Sequence, residues 1–476
     1  MPFMLALMIF VMFGVLLGTF TGLTPGIHVN TVLSILLLFL PTFIFHAGAV
    51  YSQSPLTLIA IFVVAMSIAH TFLDIIPSIY LGAPDEGTAL AVLPTHRMMH
   101  KGLANDAIYH SALGSMLALI ISVILLIPAR AIMGTPINLY AKIRPYLGYV
   151  ILSIALIMIA EEGLKAKRTC ANEGHEIISV FAKNGKGKHC KILGNALKLV
   201  IFASMLFMLS GLLGVILLYM GFGGYATGFL PIGGSVLFPI FTGMFGFSSM
   251  LWSLITMAEI PEQIGDIKRL DKTSIIKGAI FGTLCGGMVG WLPGVSSGVA
   301  TAIVGSAMSA GEKNGCGMAE TRLKNDRLYI LSLSGVNTSN TFFALVALFV
   351  ILRGRTGAMV FVKELLDITP WYNISAPPQL FLYLLLAAII SGIISYPLTI
   401  IIGRKIAEVY TRVNYRRLTL CIIVAVSVLI FLFTGVWGML IAAVSTAIGM
   451  LPPRLGVKRV HLMGVLMVPI ILYFLG

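Results

Sequence analysis

Residues 22–31 read GLTPGIHVNT, and residues 291–301 read WLPGVSSGVAT. In each stretch a Pro-Gly pair stands between two apolar runs and is followed by small or hydroxyl-bearing residues. Because proline lacks the backbone N–H that a helix needs and glycine accepts unusual dihedrals, both stretches predict a broken helix. Pro25 and Pro293 are 268 positions apart (293 − 25), which indicates an internal repeat.

Two landmarks further along the chain have nearly the same spacing. The sequence HTF at residues 70–72 corresponds to NTF at residues 340–342, where Thr71 and Thr341 are 270 positions apart (341 − 71). Gly87 and Gly357 are also 270 positions apart (357 − 87). About seven apolar runs of membrane-spanning length lie between equivalent points. Because that number is odd, the second half is predicted to be upside down relative to the first. We therefore expect two inverted-topology repeats, residues 1–257 and 258–476.

The composition indicates a membrane protein. Hydrophobic residues make up 58% of the chain and charged residues 11%, whereas soluble domains have about 25% charged residues. Roughly fourteen apolar runs approach the length of a spanning helix. The sequence predicts an all-α polytopic protein of the cell membrane with roughly 12–14 segments. Some of these segments would be Gly/Pro-broken helices or re-entrant hairpins in contact with the lipid bilayer.

The distribution of charge predicts the orientation of the chain. The formal net charge is +14, but the basic residues lie between the apolar runs, as the positive-inside rule requires. We read this as topology and expect no nucleic-acid partner. The segments predicted to be cytoplasmic are 95–106, the very basic loop 161–195, 258–277, 311–327, 403–417 and 451–460. The main segments predicted to be outside are 134–145 and 353–377.

The two hinges form the predicted substrate site. After each break the next helix begins with free N–H groups and a positive dipole end, which favour an anion. Irregular backbone within a membrane is tolerated only where it is buried in protein or lines a polar cavity. A kinked hairpin without a ligand is the alternative. The predicted substrate-binding residues are Thr24, Pro25, Gly26, Asn30, Thr31, Pro293, Gly294, Ser296, Ser297 and Thr301.

A second polar constellation predicts where a coupling ion binds. Asp74 follows the third apolar run, and a carboxylate within a membrane segment is a functional candidate. The equivalent region of the second half has oxygen-bearing side chains that suit a hard cation. The predicted coupling-ion residues are Asp74, Asn337, Thr338, Ser339, Asn340 and Thr341. Asp74 as an interfacial helix-end residue, and His70 as a core histidine, are the structural alternatives.

The sequence contains no arrangement typical of an enzyme. Glu161 and Glu162 are adjacent at a predicted helix end, and no Walker-type phosphate loop is present. We therefore expect no catalytic residues, no bound metal and no cofactor, apart from Na⁺ or H⁺ as a coupling ion. An intramembrane enzyme or an assembly scaffold is the non-transport alternative, and it would need a catalytic pair at membrane depth.

The order of these motifs resembles the large permease subunit of the tripartite tricarboxylate transporter family, the TctA type. That family has a G-x-x-P-G hinge in each half, seen here at residues 22–26 and 290–294. Its I-P-G-x-P stretch and its basic K-K-G ending correspond to residues 76–84 and 100–102. The resemblance implies a carboxylate permease that works with a small membrane subunit and an extracytoplasmic binding protein.

The sequence also departs from the family pattern. Ser339, Asn340 and Thr341 stand where the family has an A-N-N-A-like tetrad, and the I-P-G-x-P stretch is altered. Residues 293–298 in turn resemble the PGVSGG signature of polyprenyl-phosphate translocases. The expected function is secondary active transport of a small organic anion, a di- or tricarboxylate, coupled to Na⁺ or H⁺. Polyprenyl-phosphate translocation is the alternative.

Overall fold

A computed structural model describes most of the chain. The described residues are 2–24, 29, 32–33, 36, 40–51, 54–80, 88–177, 185–225, 236–255, 263, 267–292, 297–310, 318–411 and 415–475. Within these ranges, side chains are described except at 164–177, 185–196, 223, 225, 253, 306–310, 318–319, 409–411, 415 and 418. All the regular structure in the described residues is helical.

The first half contains twelve described α-helices, some of them very short. They are α1 Phe3–Leu23, α2 Leu40–Val50, α3 Pro55–Leu73, α4 Ile75–Tyr80, α5 Val92–Met99, α6 Ala104–Ile124, α7 Leu126–Met133, α8 Leu139–Ile143, α9 Leu147–Ile177, α10 Gly185–Gly214, α11 Leu237–Phe241 and α12 Ser248–Ile255. Two π-helical turns follow α10 and α11, at Val215–Tyr219 and Thr242–Phe247. The helices α9 and α10 extend well into the segment 161–195 that was predicted to be a loop.

The second half continues with eight described α-helices. They are α13 Lys272–Val289, α14 Ser297–Ala310, α15 Met318–Val350, α16 Gly357–Leu365, α17 Gln379–Thr411, α18 Tyr415–Gly449, α19 Leu451–Leu455 and α20 Gly464–Leu475. In α18 the backbone departs from helical geometry at Gly435, where φ is 65°. Two apolar helices therefore meet at this kink within α18.

Eight helices of the described part are long and apolar enough to cross a membrane. They are Phe3–Leu23, Pro55–Tyr80, Ala104–Ile124, Leu139–Gly163, Leu197–Tyr219, Glu320–Val350, Gln379–Glu408 and Thr419–Leu455. Three shorter apolar helices accompany them, at Leu40–Val50, Leu237–Trp252 and Arg459–Leu475. The all-α, multi-pass membrane architecture is therefore confirmed.

The exposed faces of the outer helices are apolar, as lipid contact requires. Phe13 and Leu16 on α1, Met205 on α10 and Val424 on α18 are each more than half exposed. Soluble proteins avoid large apolar patches of this kind. By contrast α3 is buried along almost its whole length, and most of the intramembrane part of α15 is buried too. These two helices form the centre of the molecule.

Glycines bring a neighbouring helix into close contact with each central helix. A Cβ at Gly18 of α1 would lie 2.4 Å from the Met66 carbonyl oxygen of α3. A Cβ at Gly286 of α13 would lie 2.3 Å from the Val336 carbonyl oxygen of α15. Such distances leave room only for hydrogen, so the backbones touch directly, as small residues allow in membrane helices.

These two contacts are equivalent under the predicted repeat. The glycines are 268 positions apart (286 − 18) and the carbonyl residues 270 (336 − 66), the spacings found in the sequence. One turn on, the same correspondence recurs in two further close contacts: Gly22 with the His70 carbonyl and Gly290 with the Asn340 carbonyl. The α1–α3 and α13–α15 pairs thus share one packing register, while the inversion of one repeat relative to the other stays a prediction.

The segments predicted to lie on one side of the membrane are in contact with one another. The Gln263 amide accepts a hydrogen bond from the Ala104 backbone at 2.9 Å and donates one to the Met99 carbonyl at 3.1 Å. Lys324 Nζ lies 2.7 Å from a carboxylate oxygen of Asp271. These contacts join three of the basic segments at one end of the helices.

The two segments predicted to be outside meet elsewhere. Arg130, just before the segment 134–145, donates a hydrogen bond to the Trp371 carbonyl at 2.8 Å. The Arg355 guanidinium lies 5.3 Å from the ring centroid of Tyr140. The loops therefore sort into the two groups that the charge pattern predicts, and the assignment of the basic group to the cytoplasm stays a prediction.

Candidate functional site

Helices end at both predicted hinges. The first helix, α1, ends at Leu23, and Thr24 follows in an extended conformation with φ −100° and ψ 108°. In the second half α13 ends at Val289, and α14 begins at Ser297. The other hinge residues of the predicted substrate site lie outside the described residues, namely Pro25, Gly26, Asn30, Thr31, Pro293, Gly294 and Ser296.

The described part of the second hinge is the first turn of α14. Ser297 is the first residue of that helix and is buried. The Thr301 hydroxyl donates a hydrogen bond to the Gly298 carbonyl at 2.8 Å, so its proton is used within its own helix. The Tyr329 hydroxyl of α15 donates to the Thr301 carbonyl at 3.4 Å and ties the two helices together.

Asp74 contacts the second half of the chain directly. It occupies the single position between α3 and α4, and its carboxylate oxygen Oδ2 accepts a hydrogen bond from Asn337 Nδ2 of α15 at 2.5 Å. Asp74 is 4% exposed and Asn337 9% exposed, and 263 residues of sequence separate them. The fold thus brings together two residues that the sequence analysis proposed independently for the coupling-ion site.

A pair of hydroxyl groups lies beside this contact. The Thr71 and Thr338 hydroxyl oxygens are 3.1 Å apart, and both residues are buried. Thr71 is one helical turn before Asp74, and Thr338 is the residue after Asn337. Two hydroxyls, an amide and a carboxylate therefore form a buried, oxygen-rich contact between α3 and α15, the ligand chemistry that a hard cation prefers.

The remaining predicted ion-site residues of α15 make their described contacts within that helix or with α13. The Ser339 hydroxyl donates to the Gly335 carbonyl at 2.7 Å and is directed toward Gly286 of α13. The Thr341 hydroxyl donates to the Asn337 carbonyl at 3.3 Å. The backbone of Asn340 packs against α13 at Gly290. Within this set, the described hydrogen bonds to the first half of the chain are those of Asn337 and Thr338.

Both helix ends at the hinges lie close to the Asp74 contact. A Cβ at Gly22, near the end of α1, would be 3.2 Å from the backbone nitrogen of Asp74. Gly290, at the end of α13, packs against Asn340, which is about one turn beyond Asn337 along α15. The two helix breaks therefore converge on one region where α3 meets α15.

His70 is held within the first half of the chain. Its Nδ1 lies 3.1 Å from the Thr21 hydroxyl of α1, and both residues are buried. This contact connects α1 and α3 just before the first hinge. It agrees with the interpretation of His70 as a satisfied core histidine.

A group of buried charged residues joins two of the segments predicted to be cytoplasmic. Arg327 Nε donates to Asp106 Oδ2 at 2.6 Å, and His110 Nδ1 lies 2.9 Å from the other carboxylate oxygen of Asp106. All three residues are buried, although Arg327 and Asp106 belong to segments predicted to be loops. Arg97 makes a second ion pair nearby, with Asp326. No sequence signal distinguishes these residues from ordinary loop charges.

A further buried cluster includes a residue that the sequence placed at a helix end. Glu162 Oε1 accepts a hydrogen bond from the Lys458 backbone N–H at 2.8 Å and lies 3.2 Å from His461 Nε2. Glu162 and His461 are both fully buried. The pair ties the span Leu139–Gly163 to the C-terminal segment. Among the described residues, no group of three or more His, Cys, Asp or Glu could hold a metal ion.

The chain is similar over nearly its whole length to a known transporter family. The family model described as "Tripartite tricarboxylate transporter TctA family" matches residues 8–464. A protein of Methanocaldococcus jannaschii, printed as "Uncharacterized protein MJ1079", is 24% identical over 473 residues, which cover 98% of this chain and 99% of that protein. No solved structure matches the chain.

Proposed function

The chain belongs to the tripartite tricarboxylate transporter TctA family, and we propose that it carries a small organic anion across the membrane together with Na⁺ or H⁺. Membership implies a multi-pass permease, and the eight long apolar helices agree with it. The proposed substrate is a di- or tricarboxylate, and the proposed mechanism is alternating access.

The observation that carries the proposal is the contact between Asp74 and Asn337. It joins the two halves of the chain through a buried carboxylate, close to the described ends of α1 and α13. A cation or proton that binds there changes the charge between the two halves. Because burying an unpaired charge is unfavourable, the charge state of Asp74 would bias how the halves pack. Such a bias is what ion-coupled transport requires.

The anion would bind at the helix ends beside this contact. The described helices α1 and α13 both stop at the hinges, and α14 begins immediately after the second one. Free N–H groups at helix starts and the positive end of the helix dipole favour a carboxylate. A coupling cation at Asp74 would lie close to that carboxylate, so each ligand would favour the binding of the other.

The family also suggests partners. Its permeases work with a small membrane subunit and an extracytoplasmic binding protein, and we propose the same arrangement for this chain. The binding protein would deliver the anion to the side where residues 134–145 and 353–377 lie. The small subunit would contact the lipid-facing helices.

Two other functions fit less of the chain. The polyprenyl-phosphate translocase reading depends on residues 293–298 alone, whereas the TctA family model matches residues 8–464. An intramembrane enzyme or a scaffold finds no support in a family of transporters. The transport reading therefore explains the largest number of residues.

Reconstitution into proteoliposomes tests the proposal. Uptake of radiolabelled citrate is measured with an inward Na⁺ gradient, with an inward H⁺ gradient, and with neither. We expect accumulation above the equilibrium level with one of the two gradients. The purified M. jannaschii relative is assayed in the same way, and a binding protein is added in a parallel series. Failure of both gradients to drive any carboxylate, combined with movement of a polyprenyl-phosphate lipid, would establish the alternative.

A further inference from the structure

A cavity of about 390 Å³ lies at the end of the molecule where the basic segments meet. Residues of α5, of the start of α15 and of the segment after α19 line it, so both halves of the chain contribute. Known pockets for small molecules occupy about 300–1,000 Å³. The cavity is therefore large enough for a small organic acid and too small for most cofactors.

The charged side chains that line the cavity are mostly basic. Arg97, Arg322, Lys458 and Arg459 are the cations, and Asp326 is the single carboxylate. Arg97 is paired with Asp326 through both of its carboxylate oxygens. Lys458 Nζ lies 3.6 Å from Glu161 Oε2. Two of the four cations are thus neutralised by neighbours.

Of the two remaining cations, Arg322 and Arg459, the second is buried. It is only 9% exposed, and its guanidinium Nη1 contacts the Ser249 hydroxyl and, at 3.4 Å, the Phe245 carbonyl. Within the part of the chain that the structure describes, no carboxylate pairs with Arg459. A guanidinium has five N–H donors and stays charged. Burying such a charge without a counterion is costly, and a bound anion would remove that cost.

Arg322 lines the cavity from α15 and is exposed to solvent. No described residue lies within ion-pair distance of its side chain, although Asp326, one turn further along α15, is close enough for the two charges to interact. A ligand between Arg322 and Arg459 would therefore contact one buried and one exposed guanidinium, each able to bind a carboxylate with two parallel hydrogen bonds. Asn325 and Tyr329 of the same helix also line the cavity.

We propose that this cavity is a second anion-binding site, which takes a small soluble oxyanion with two or three negative charges. The occupant spans Arg322 and Arg459 and neutralises both. None of the described residues proposed for substrate or coupling ion lines the cavity, so it is separate from the described part of the hinge site. The inference does not depend on the transport proposal, since it follows from the cavity and its uncompensated charge.

Calorimetric titration of the purified full-length protein in detergent tests the site. Citrate is the carboxylate probe, inorganic phosphate is the second oxyanion, and uncharged glycerol is the control ligand. We expect citrate to bind, and Arg459→Gln and Arg322→Gln each to weaken the same binding phase by about tenfold or more. That factor corresponds to the loss of one charge-assisted contact. Stronger binding of phosphate than of citrate would identify the occupant as an inorganic oxyanion.

Two control variants separate this site from other effects. Arg454→Gln removes an exposed arginine of the same segment that does not line the cavity, and it should leave binding unchanged. Asp74→Asn should leave this binding phase unchanged even if it abolishes transport. Binding that persists in Arg322→Gln, or that Arg454→Gln weakens equally, would overturn the proposal. Because Arg322 is exposed, that variant remains informative even if Arg459→Gln fails to fold.

Discussion

At Asp74 a carboxylate is buried in the centre of a membrane protein and held by an amide from the other half of the chain. Carboxylates are expensive at this depth, and a simple helix-capping role would not need a partner 263 residues away. Thr71 and Thr338 add two hydroxyl oxygens to the same contact. The surroundings of Asp74 thus suit an ion that is bound and released.

We predict that Asp74→Asn abolishes ion-driven accumulation of the anion. The substitution preserves the shape of the side chain and removes the charge that a cation or proton would neutralise. A hydrogen bond to a charged group contributes about 1.5–3 kcal/mol. We therefore expect the gradient-driven accumulation of the anion to fall by roughly ten- to hundredfold. Proteoliposome uptake with and without the cation gradient measures the effect. Ser67→Ala, in the same buried helix with its hydroxyl bonded to Val63, is the matched control. Unaltered gradient dependence in the aspartate variant would exclude this residue as the coupling group.

His96 permits a prediction about pH at a position outside the spans. Burial, together with the positive charges of His100 and Arg459, lowers its pKa from 6.5 to about 3. The folded protein therefore keeps His96 neutral at pH 5, whereas the unfolded chain binds a proton there. Stability contributed by this residue is present above pH 6.5 and is lost as the pH falls below that value.

We predict a destabilisation of about 2 kcal/mol from His96 between pH 7 and pH 5. Thermal unfolding of the purified protein at the two pH values measures it. His96→Gln cannot bind the proton, so the variant should lose less stability than the wild type over the same interval. Identical losses in the two proteins would show that other groups cause the pH dependence.

At the scale of helices, the glycine contacts of α1 and α13 position the site. They let each helix touch the backbone of a central helix, and the hinges follow directly after these contacts. The same register occurs in both halves with the 268- and 270-residue spacings. The repeated glycine contacts therefore place the end of α1 beside α3 and the end of α13 beside α15.

We predict that Gly18→Ala and Gly286→Ala each destabilise the protein by about 1–3 kcal/mol, because the added methyl group would overlap a backbone carbonyl oxygen. Thermal unfolding in detergent provides the measurement. Gly48→Ala in α2 is the matched control, since nothing lies within 4 Å of a Cβ there, and it should be neutral or slightly stabilising. If Gly18→Ala and Gly286→Ala were as stable as Gly48→Ala, the result would argue against direct backbone contact.

At the scale of the whole molecule, the loops separate into a basic group and a less basic group. Asp271, in the basic group, illustrates the contacts that join its members: the hydrogen bond from Lys324 lowers the pKa of this carboxyl well below its usual value. Because the cytoplasmic side retains lysine and arginine, this group should face the cytoplasm. The cavity proposed as a second anion site lies on the same side.

We predict opposite accessibility for two exposed positions in a variant without its five cysteines. Ser375→Cys, in the less basic group, should react with a membrane-impermeant maleimide in intact cells. Thr273→Cys, in the basic group, should react only after the cells are opened. Both changes are nearly isosteric, so neither should disturb the fold. Labelling of the two positions from the same side would contradict the predicted topology.

Several features of the fold could be derived from sequence. The apolar runs predict a helical membrane protein because spanning helices need long apolar stretches. Pro25 and Pro293 predict helix breaks because proline removes a backbone donor, and the described helices α1 and α13 end where these breaks require. The number of full spans was less accessible. Two apolar helices meet at the Gly435 kink in α18, and composition alone does not give the angle between them.

The sequence by itself determined the helical membrane class, the repeat spacing, the sorting of charged loops and Asp74 as a candidate, because each depends on local composition or on the period of a single helix. The tertiary structure alone decided that Asp74 meets Asn337, that Arg327 pairs with Asp106, and that Arg459 is buried beside a cavity. These are contacts between residues more than 200 positions apart. They depend on how helices pack against one another, and no local pattern encodes the distance between two side chains on different helices.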